Sequence, residues 1–318
     1  MATPILGVTH SEVIVPVPRG ACDCHVHVFG PPGRYALSES RTFMPHPVTV
    51  EDLVQFHDEL GIDRAVIVQA SPQGTDNTCL TDTLDVLRAM GREARGVAVV
   101  KEETDERELL QLHEAGVRGL RVNLQTFGIS TPETAAQRLR STARMAAFMG
   151  WHVQIYTQLT VVSALAETIA SLDVPVVVDH YGLAHSAHGV EQQGFSALLN
   201  LLDGGNVYVK LSAPYRIIDH PLGDDGRAIA RALIERNIDR MLWGTDWPHT
   251  NPPPGVPRPR HHPEALKLVD DGHQLNIFAR WTSAEERQKI MVDNAARLYE
   301  FPVVPIAATP TSAVGADA

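Results

Sequence analysis

Short runs of apolar, largely β-branched residues alternate along this chain with segments of helical periodicity. Eight such runs occur, at residues 22–29, 64–69, 94–100, 117–123, 152–156, 174–180, 207–211 and 241–246. Helical segments lie between them, near residues 50–60, 77–92, 104–115, 133–149, 160–172, 190–203 and 225–237. Strands that alternate with helices form parallel βαβ units, and eight units predict an α/β fold with a single-domain (β/α)8 TIM-type barrel. A doubly wound open sheet is the alternative, but no glycine-rich phosphate loop opens any of these helices.

The rest of the chain frames one domain. Residues 1–20 contain three prolines and predict an irregular lead-in, so that the barrel spans residues 21–301. A last helix is predicted at 283–299, and the composition after it predicts a disordered tail over 302–318. The proline-rich segment 250–264 follows the eighth strand and is predicted to be a long loop that acts as a lid.

Charge and cysteine content exclude several classes of function. The net charge is −11 with no cluster of Lys and Arg, which argues against a nucleic-acid partner. No stretch approaches the roughly 18 apolar residues of a membrane span, and no secretory signal is visible, so a cytoplasmic location is expected. The three cysteines are too few for a disulfide framework. Cys22 and Cys24 are predicted to be small buried residues on the strand face opposite His25 and His27.

Polar residues follow most of the predicted strands. In a barrel of this type the catalytic residues lie at the C-terminal ends of the strands. In chain order the candidates are His25, His27, Ser71, Arg121, Asn123, Tyr156, Asp179, His180, Lys210, Arg216, Asp246 and His249. His25 and His27 are two residues apart on a strand, which places both imidazoles on one face with Asp23 below them. Such a pair can bind a metal or stabilise a developing oxyanion.

Three of these motifs carry a resemblance to a known family. They are His25-Val26-His27 after strand one, Asp179-His180 after strand six, and the stretch Trp243–His249 (WGTDWPH) after strand eight. In this order they resemble the amidohydrolase superfamily. The likeness is greater to its branch of lactone hydrolases, typified by the 2-pyrone-4,6-dicarboxylate lactonases, and it runs from about residue 20 to residue 301.

The resemblance implies catalytic roles. Asp246 would be the general base, which takes a proton from water and later passes it to the leaving oxygen. His25, His27 and His180 would polarise the scissile carbonyl and stabilise the oxyanion. Burial of Asp246 in the barrel mouth is expected to raise its pKa toward neutrality.

The resemblance also bears on the substrate. Arg121, Tyr156 and Arg216 match positions that grip two carboxylates in the family, and Asn123, Ser71 and His249 are further candidates for substrate binding. Leu183 stands where the family pattern has an arginine, and Phe43 stands where it has a tyrosine. An unpaired buried charge is costly, so we expect a lactone with one main anionic group held by Arg121 and Arg216.

The chain lacks some of the metal ligands that the superfamily pattern contains. The wider pattern needs a Lys or Glu after strand four and a histidine after strand five, but strand five of this chain ends in Tyr156-Thr157-Gln158. A two-metal site is therefore not expected, and a reaction without a cofactor is favoured. The alternative is one Zn²⁺ held by His25, His27, His180 and Asp246, because a few protein ligands plus water make a catalytic zinc site.

We therefore expect a hydrolase that opens a small anionic lactone by attack of water on the ester carbonyl. The lactone would resemble a pyrone dicarboxylate, a muconolactone or a sugar-acid lactone, and its breakdown would belong to the catabolism of aromatic compounds. A lactone isomerase with the same base, a zinc-dependent decarboxylase and a non-catalytic binder are the alternatives. The sequence leaves open whether the protein is a monomer or a dimer.

Overall fold

Eight parallel strands form one sheet in which spatial neighbours follow the order of the chain. This computed structural model describes residues 4–129, 131–219, 225–250 and 258–302. The strands are β1 (Cys22–Val26), β2 (Arg64–Val68), β3 (Glu93–Ala98), β4 (Val117–Asn123), β5 (His152–Tyr156), β6 (Val176–Val178), β7 (Val207–Ser212) and β8 (Met241–Gly244). The predicted (β/α)8 barrel is confirmed, and the open doubly wound sheet is wrong.

Helices connect the strands. They are α1 (Val50–Leu60), α2 (Thr78–Ala89), α3 (Glu106–Ala115), α4 (Pro132–Met149), α5 (Leu159–Ala164), α6 (Ala166–Ala170), α7 (Phe195–Asp203), α8 (Arg227–Asn237), α9 (Asp271–Trp281), α10 (Ala284–Gln288) and α11 (Asn294–Tyr299). In the described part of the chain, no helix has the length and apolar character needed to cross a bilayer.

The helices differ from the predicted ones most clearly in four places. The segment predicted at 160–172 is broken at Leu165, and the one predicted at 190–203 begins only after Gly194, whose φ of +91° is left-handed. The last predicted helix is interrupted by a π turn at Lys289–Asp293. Helix α9 was not predicted. It begins at Asp270, whose side chain accepts a hydrogen bond from the backbone of His273.

The barrel closes between β1 and the residues just after β8. The Asp246 amide donates to the His25 carbonyl at 2.8 Å, and the His27 amide donates to the Trp247 carbonyl at 2.9 Å. The closing seam therefore passes through the residues predicted to be catalytic, so their backbones are fixed by the fold itself.

A bulge in β1 changes which way its side chains point. The pairing with β2 shifts register between Asp23 and Val26, and one extra residue in a strand reverses the alternation of faces after it. Cys22 and Cys24 pack inside the barrel, in a cluster of buried side chains that includes Tyr208. Asp23 instead contacts His57 of α1, on the helix side, at 3.4 Å. The predictions that Asp23 lies below the histidines and that the cysteines face away from them are both wrong.

The C-terminal residues cover the opposite, N-terminal end of the barrel. Tyr299 and Phe301 pack against the interior cluster, and Arg64 donates to the Pro302 carbonyl at 2.6 Å. The predicted tail lies outside the described residues beyond Pro302. In the predicted lead-in, the Ser11 amide donates to Asp270 at 2.8 Å, so this segment is tied to the start of α9.

We predict that Asp23→Ala destabilises the closing seam. The Asp23 carboxylate accepts hydrogen bonds from the Thr245 amide at 2.9 Å and hydroxyl at 2.6 Å, and from the His25 amide at 3.1 Å. Hydrogen bonds to a charged group are worth about 1.5–3 kcal/mol each, but removal of a buried charge offsets part of the loss of three. The free energy of unfolding should therefore fall by about 3 kcal/mol in urea titrations. Asp58→Ala, on the outer face of α1, is the control. A loss no larger than that of the control would contradict the role of Asp23.

Candidate active site

The four residues predicted to be catalytic meet at the C-terminal mouth of the barrel. Oδ1 of Asp246 lies 3.5 Å from Nε2 of His25. The same oxygen is 3.7 Å from Nε2 of His27 and 3.7 Å from Nε2 of His180. All four side chains are buried. One carboxylate oxygen therefore faces three imidazole nitrogens across gaps that are too long for direct hydrogen bonds.

Several residues at the candidate site have a strained backbone conformation. Asp246, His180 and His249 have φ values of 70°, 52° and 67°, and Ala213 after β7 has 51°. Residues other than glycine seldom adopt this left-handed region, which costs free energy and recurs at functional sites. The loops that follow β6, β7 and β8 all contain residues in this strained region, and His180 and Asp246 of the site are among them.

The second oxygen of Asp246 is held firmly. Oδ2 accepts from the Tyr215 hydroxyl at 2.5 Å, and from Nε and Nη2 of Arg216 at 2.9 and 2.6 Å. Burial alone would raise the pKa of Asp246, but the charge of Arg216 and then that of His180 hold it well below its ordinary value. The expected rise of this pKa toward neutrality is wrong, and Asp246 is ionised at neutral pH.

His25 and His180 are neutral at neutral pH. Burial lowers the pKa of His180 to about 4 and that of His25 well below its ordinary value. Nδ1 of His27 lies 2.7 Å from the Val68 carbonyl, which only accepts, so this nitrogen carries the proton. Nδ1 of His180 lies 2.8 Å from the Ser212 hydroxyl, which can donate or accept.

A polar layer lies beneath the histidines, inside the barrel. The ammonium of Lys210 donates to Oε1 of Gln154 at 2.7 Å, and Nε2 of Gln154 donates to Oδ2 of Asp179 at 3.0 Å. Burial lowers the pKa of Lys210, and Asp179 opposes that shift. Burial would raise the pKa of Asp179, but His25 and Lys210 hold it well below its ordinary value. This layer therefore contains an ion pair between Lys210 and Asp179, which lies below the histidines.

A cavity of about 300 Å³ opens above Asp246. The residues around it are His27, Thr42, Phe43, Ala70, Ser71, Arg121, Asn123, Gln125, Thr126, Tyr156, His180, Arg216, Asp246, Thr250 and Arg258. Five of the six predicted substrate-binding residues are in this wall. His249 is not, because its Nε2 is held by Asp271 at 2.8 Å and its Nδ1 lies 3.4 Å from the Tyr215 hydroxyl. His249 therefore contacts Tyr215 on the side away from the cavity, and its role in substrate binding stays a prediction.

The two arginines predicted to hold the anion differ in how many of their N–H donors are already hydrogen-bonded. Arg216 gives Nε and Nη2 to Asp246, and its Nη1 lies 3.3 Å from the Tyr156 hydroxyl. Arg121 donates through Nη1 to the Gln69 carbonyl at 3.0 Å, while its buried Nε has no partner. Arg121 lines the cavity and makes a single hydrogen bond, so it can offer more to a substrate anion than Arg216, which is largely committed to Asp246.

Two side chains at the candidate site were not identified from the sequence. Tyr215 is adjacent to Arg216, and only the fold shows its bond to Asp246. Arg258 belongs to the predicted lid, of which residues 251–257 lie outside the described part of the chain. Its guanidinium stacks 3.4 Å above the Phe43 ring and is paired with Glu264 at 2.5 Å. The proline-rich composition of 250–264 indicated a loop but gave no sign of that stacking.

The donor set has the spacing for one metal ion. Ligand atoms of His25, His180 and Asp246 lie within 4.8 Å of one another, and this is the one such group among the described residues. His27 is outside that set. The positions after β4 and β5 are occupied by Asn123 and Tyr156–Gln158, which offer no second group of ligands. The residues thus fit a single divalent ion and not a pair.

Known proteins share both sequence and fold with this chain. A 2-pyrone-4,6-dicarboxylate hydrolase of Comamonas testosteroni is 35% identical over 294 residues, which cover 89% of this chain and 91% of the relative. A 4-sulfomuconolactone hydrolase of Rhizobium radiobacter is 33% identical, covering 89% and 91%. A solved apo structure from Agrobacterium tumefaciens superposes with a TM-score of 0.76 at 24% identity, covering 90% and 98%. The amidohydrolase family model matches residues 22–301. The chain therefore belongs to the amidohydrolase family.

Proposed function

We propose that this protein is a hydrolase that opens a small anionic lactone by adding water to the ring carbonyl. The observation that supports the proposal is that the two oxygens of the Asp246 carboxylate have different surroundings. Arg216 and Tyr215 fix Oδ2, which leaves Oδ1 facing the imidazoles of His25, His27 and His180. The names of the two relatives support a lactone as the substrate class.

The proposed reaction uses Asp246 twice. Oδ1 accepts a proton from water as the water oxygen bonds to the carbonyl carbon, and His25 and His180 stabilise the resulting oxyanion. The tetrahedral intermediate then breaks the bond between that carbon and the ring oxygen, which takes the proton from Asp246. The new carboxylic acid ionises at neutral pH and releases one proton to solution.

The depressed pKa of Asp246 narrows the substrate class. A carboxylate with a low pKa is a weak base, so the barrier must be lowered by an electrophilic carbonyl or a stable leaving group. A 2-pyrone ring expels an enolate-type oxygen, whereas muconolactone-like and sugar-acid lactones expel an alkoxide from a saturated carbon. We therefore favour the pyrone-like substrates, which also fits a role in the catabolism of aromatic compounds.

We propose that the reaction needs no metal. Asp246 has one oxygen in an ion pair with Arg216, which leaves it a single oxygen for an ion. Should an ion bind, His25, His180 and Asp246 would hold it, and it would act as a Lewis acid on the carbonyl oxygen. A panel of lactones assayed by proton release, on protein of measured metal content, tests both parts of the proposal. Activity that rises and falls with bound zinc would overturn the metal-free part.

The charges around the cavity favour a substrate with one main anionic group. Arg216 is neutralised by Asp246, and Arg258 is neutralised by Glu264. Beneath the cavity, Arg121 and Lys210 lie 3.7 and 3.6 Å from the single carboxylate of Asp179. This leaves one uncompensated positive charge at Arg121 and Lys210, of which Arg121 lines the cavity.

We predict that Arg121→Met raises KM for an anionic lactone by about 10- to 100-fold, because a hydrogen bond to a charged group is worth about 1.5–3 kcal/mol. The change in kcat should be smaller, since Arg121 contacts none of the groups around Oδ1 of Asp246. Steady-state kinetics check this. Arg118→Met is the matched control, since Arg118 lies on the same strand and pairs with Glu300 at 2.6 Å. An unchanged KM in Arg121→Met would refute the anion-binding role.

The alternatives differ in their products. A lactone isomerase would use Asp246 to deprotonate a substrate hydroxyl and would give a rearranged lactone. A zinc-dependent decarboxylase would release carbon dioxide, and a non-catalytic binder would give no product. We propose a cytoplasmic location, in keeping with three free and buried cysteines. A monomer and a dimer are equally compatible with the proposal.

A further inference from the structure

We propose that Lys210 sets the tautomer of His25, so that Nε2 of His25 carries the proton and donates it as a hydrogen bond to the substrate carbonyl oxygen. His27 would keep the opposite tautomer. Lys210 is thus a positioning residue that acts through His25. The inference deepens the proposed function and depends on it for the role given to the carbonyl oxygen, but the tautomer itself can be measured without any substrate.

The contacts of Lys210 carry the argument. Its side chain is fully buried inside the barrel. Besides its bond to Gln154, Nζ forms a hydrogen bond of 3.4 Å with Nδ1 of His25. An ammonium has three N–H donors and no lone pair, so Nδ1 must be the acceptor. A neutral imidazole that accepts at Nδ1 carries its single proton on Nε2.

Asp179 is the competitor for the same nitrogen. Its Oδ1 lies 3.3 Å from Nδ1 of His25, which is close enough for an electrostatic contact. However, Oδ1 is not aligned for a hydrogen bond with Nδ1, and its contact with His25 lowers the pKa of Asp179 mainly through charge. The oxygen of Asp179 with a well-formed hydrogen bond is Oδ2, which accepts from Gln154. Nδ1 of His25 therefore accepts a hydrogen bond from Lys210, and Asp179 neutralises the charge of the ammonium.

His27 has the reverse arrangement. Its Nδ1 donates to the Val68 carbonyl at 2.7 Å, so its Nε2 presents a lone pair. The two histidines of one motif therefore face Oδ1 of Asp246 as a donor and an acceptor. Nε2 of His25 is buried without a partner, 3.5 Å from Oδ1 of Asp246. A carbonyl oxygen that approaches this carboxylate oxygen from the cavity can accept a hydrogen bond from Nε2. His27 can accept a hydrogen bond from the attacking water and orient it.

The same tautomer weakens the metal site. A metal ligand needs a lone pair, which Nε2 of His25 lacks while Nδ1 accepts from Lys210. Metal-binding histidines usually donate their other ring N–H to a carboxylate or carbonyl. Asp179 would serve in this way only after Lys210 is removed. Lys210 thus favours the donor role of His25 over a ligand role.

The first test is long-range ¹H–¹⁵N NMR of the imidazole rings in the full-length wild-type protein at neutral pH. The His25 and His27 signals are assigned by their loss in His25→Gln and His27→Gln. We expect a protonated Nε2 in His25 and a protonated Nδ1 in His27. A His25 ring protonated at Nδ1, or at both nitrogens, would overturn the proposal. This readout is independent of activity, so the proposed function can fail while the tautomer stands, or the reverse.

The second test is Lys210→Met. We expect the His25 proton to move to Nδ1, kcat to fall by about 100-fold with little change in KM, and bound Zn²⁺ to rise after incubation with zinc and gel filtration. Lys289→Met, at a largely solvated ion pair with Asp239, is the control. A folded variant that keeps the wild-type tautomer and kcat would overturn the proposal. If the variant does not fold, the wild-type spectrum decides the question alone.

Discussion

Replacement of Asp246 by asparagine should abolish most of the lactone-opening activity. General-base catalysis contributes about 10²- to 10⁴-fold, so we expect kcat to fall by about 10³-fold. KM should change little, because the anion is held by Arg121 on another strand. The carboxamide keeps an oxygen that can accept from Tyr215 and Arg216, which preserves the local hydrogen bonds. Stopped-flow or pH-stat assays of proton release measure the loss.

The control for this variant is Asp58→Asn, which removes a carboxylate from the outer helix layer where its side chain is 57% exposed. Circular dichroism and thermal melts establish that both variants are folded. If Asp246→Asn kept more than a tenth of the wild-type kcat, Asp246 would not be the base.

Replacement of Arg216 by methionine should shift the acid limb of the pH profile. Among the groups that lower the pKa of Asp246, Arg216 acts most strongly, so its removal raises that pKa. Only the ionised form is a base, so activity appears as pH rises through the pKa of Asp246. Loss of a buried ion-pair partner costs about 3–5 kcal/mol, so the acid limb of the profile should move to a clearly higher pH. The profile of log kcat against pH measures the shift.

The same variant should be less stable above about pH 4. The pKa of Asp246 is depressed in the folded state, so its ionisation contributes stability above the unfolded value of about 3.9, and this contribution is lost as pH falls. Arg216→Met removes most of it, and urea titrations at pH 7 should show the loss. Arg236→Met, at an outer ion pair with Asp203, is the control. An acid limb at the wild-type position would show that Arg216 does not tune Asp246.

The sequence predicted the barrel and the location of the candidate site at its C-terminal end, because both depend on local patterns. Apolar runs and helical periodicity report on each βαβ unit separately, and parallel strands must end on one side. The same rule brought His25, His180 and Asp246 together without knowledge of their distances. Patterns that repeat along the chain are thus enough to define the fold and to place the candidate residues at one end of it. The catalytic roles expected of His25, His180 and Asp246 came from the resemblance to the amidohydrolase superfamily.

The errors arose where distant segments meet. The bulge in β1 depends on closure against β8, so periodicity alone placed Asp23 on the wrong face. The pKa of Asp246 falls because Arg216 arrives from the loop after β7. Helix α9 was also missed. Nonlocal contacts of this kind leave no periodic signal in the sequence.

The central claim is that Asp246 directs water to the carbonyl of a lactone. The most direct measurement is turnover of a pyrone- or muconolactone-type substrate in H₂¹⁸O, with the product analysed by mass spectrometry and proton release recorded in parallel. We predict a ring-opened acid that contains one ¹⁸O atom in its new carboxylate, with one proton released per turnover. A rearranged lactone without ¹⁸O, or release of carbon dioxide, would contradict the claim.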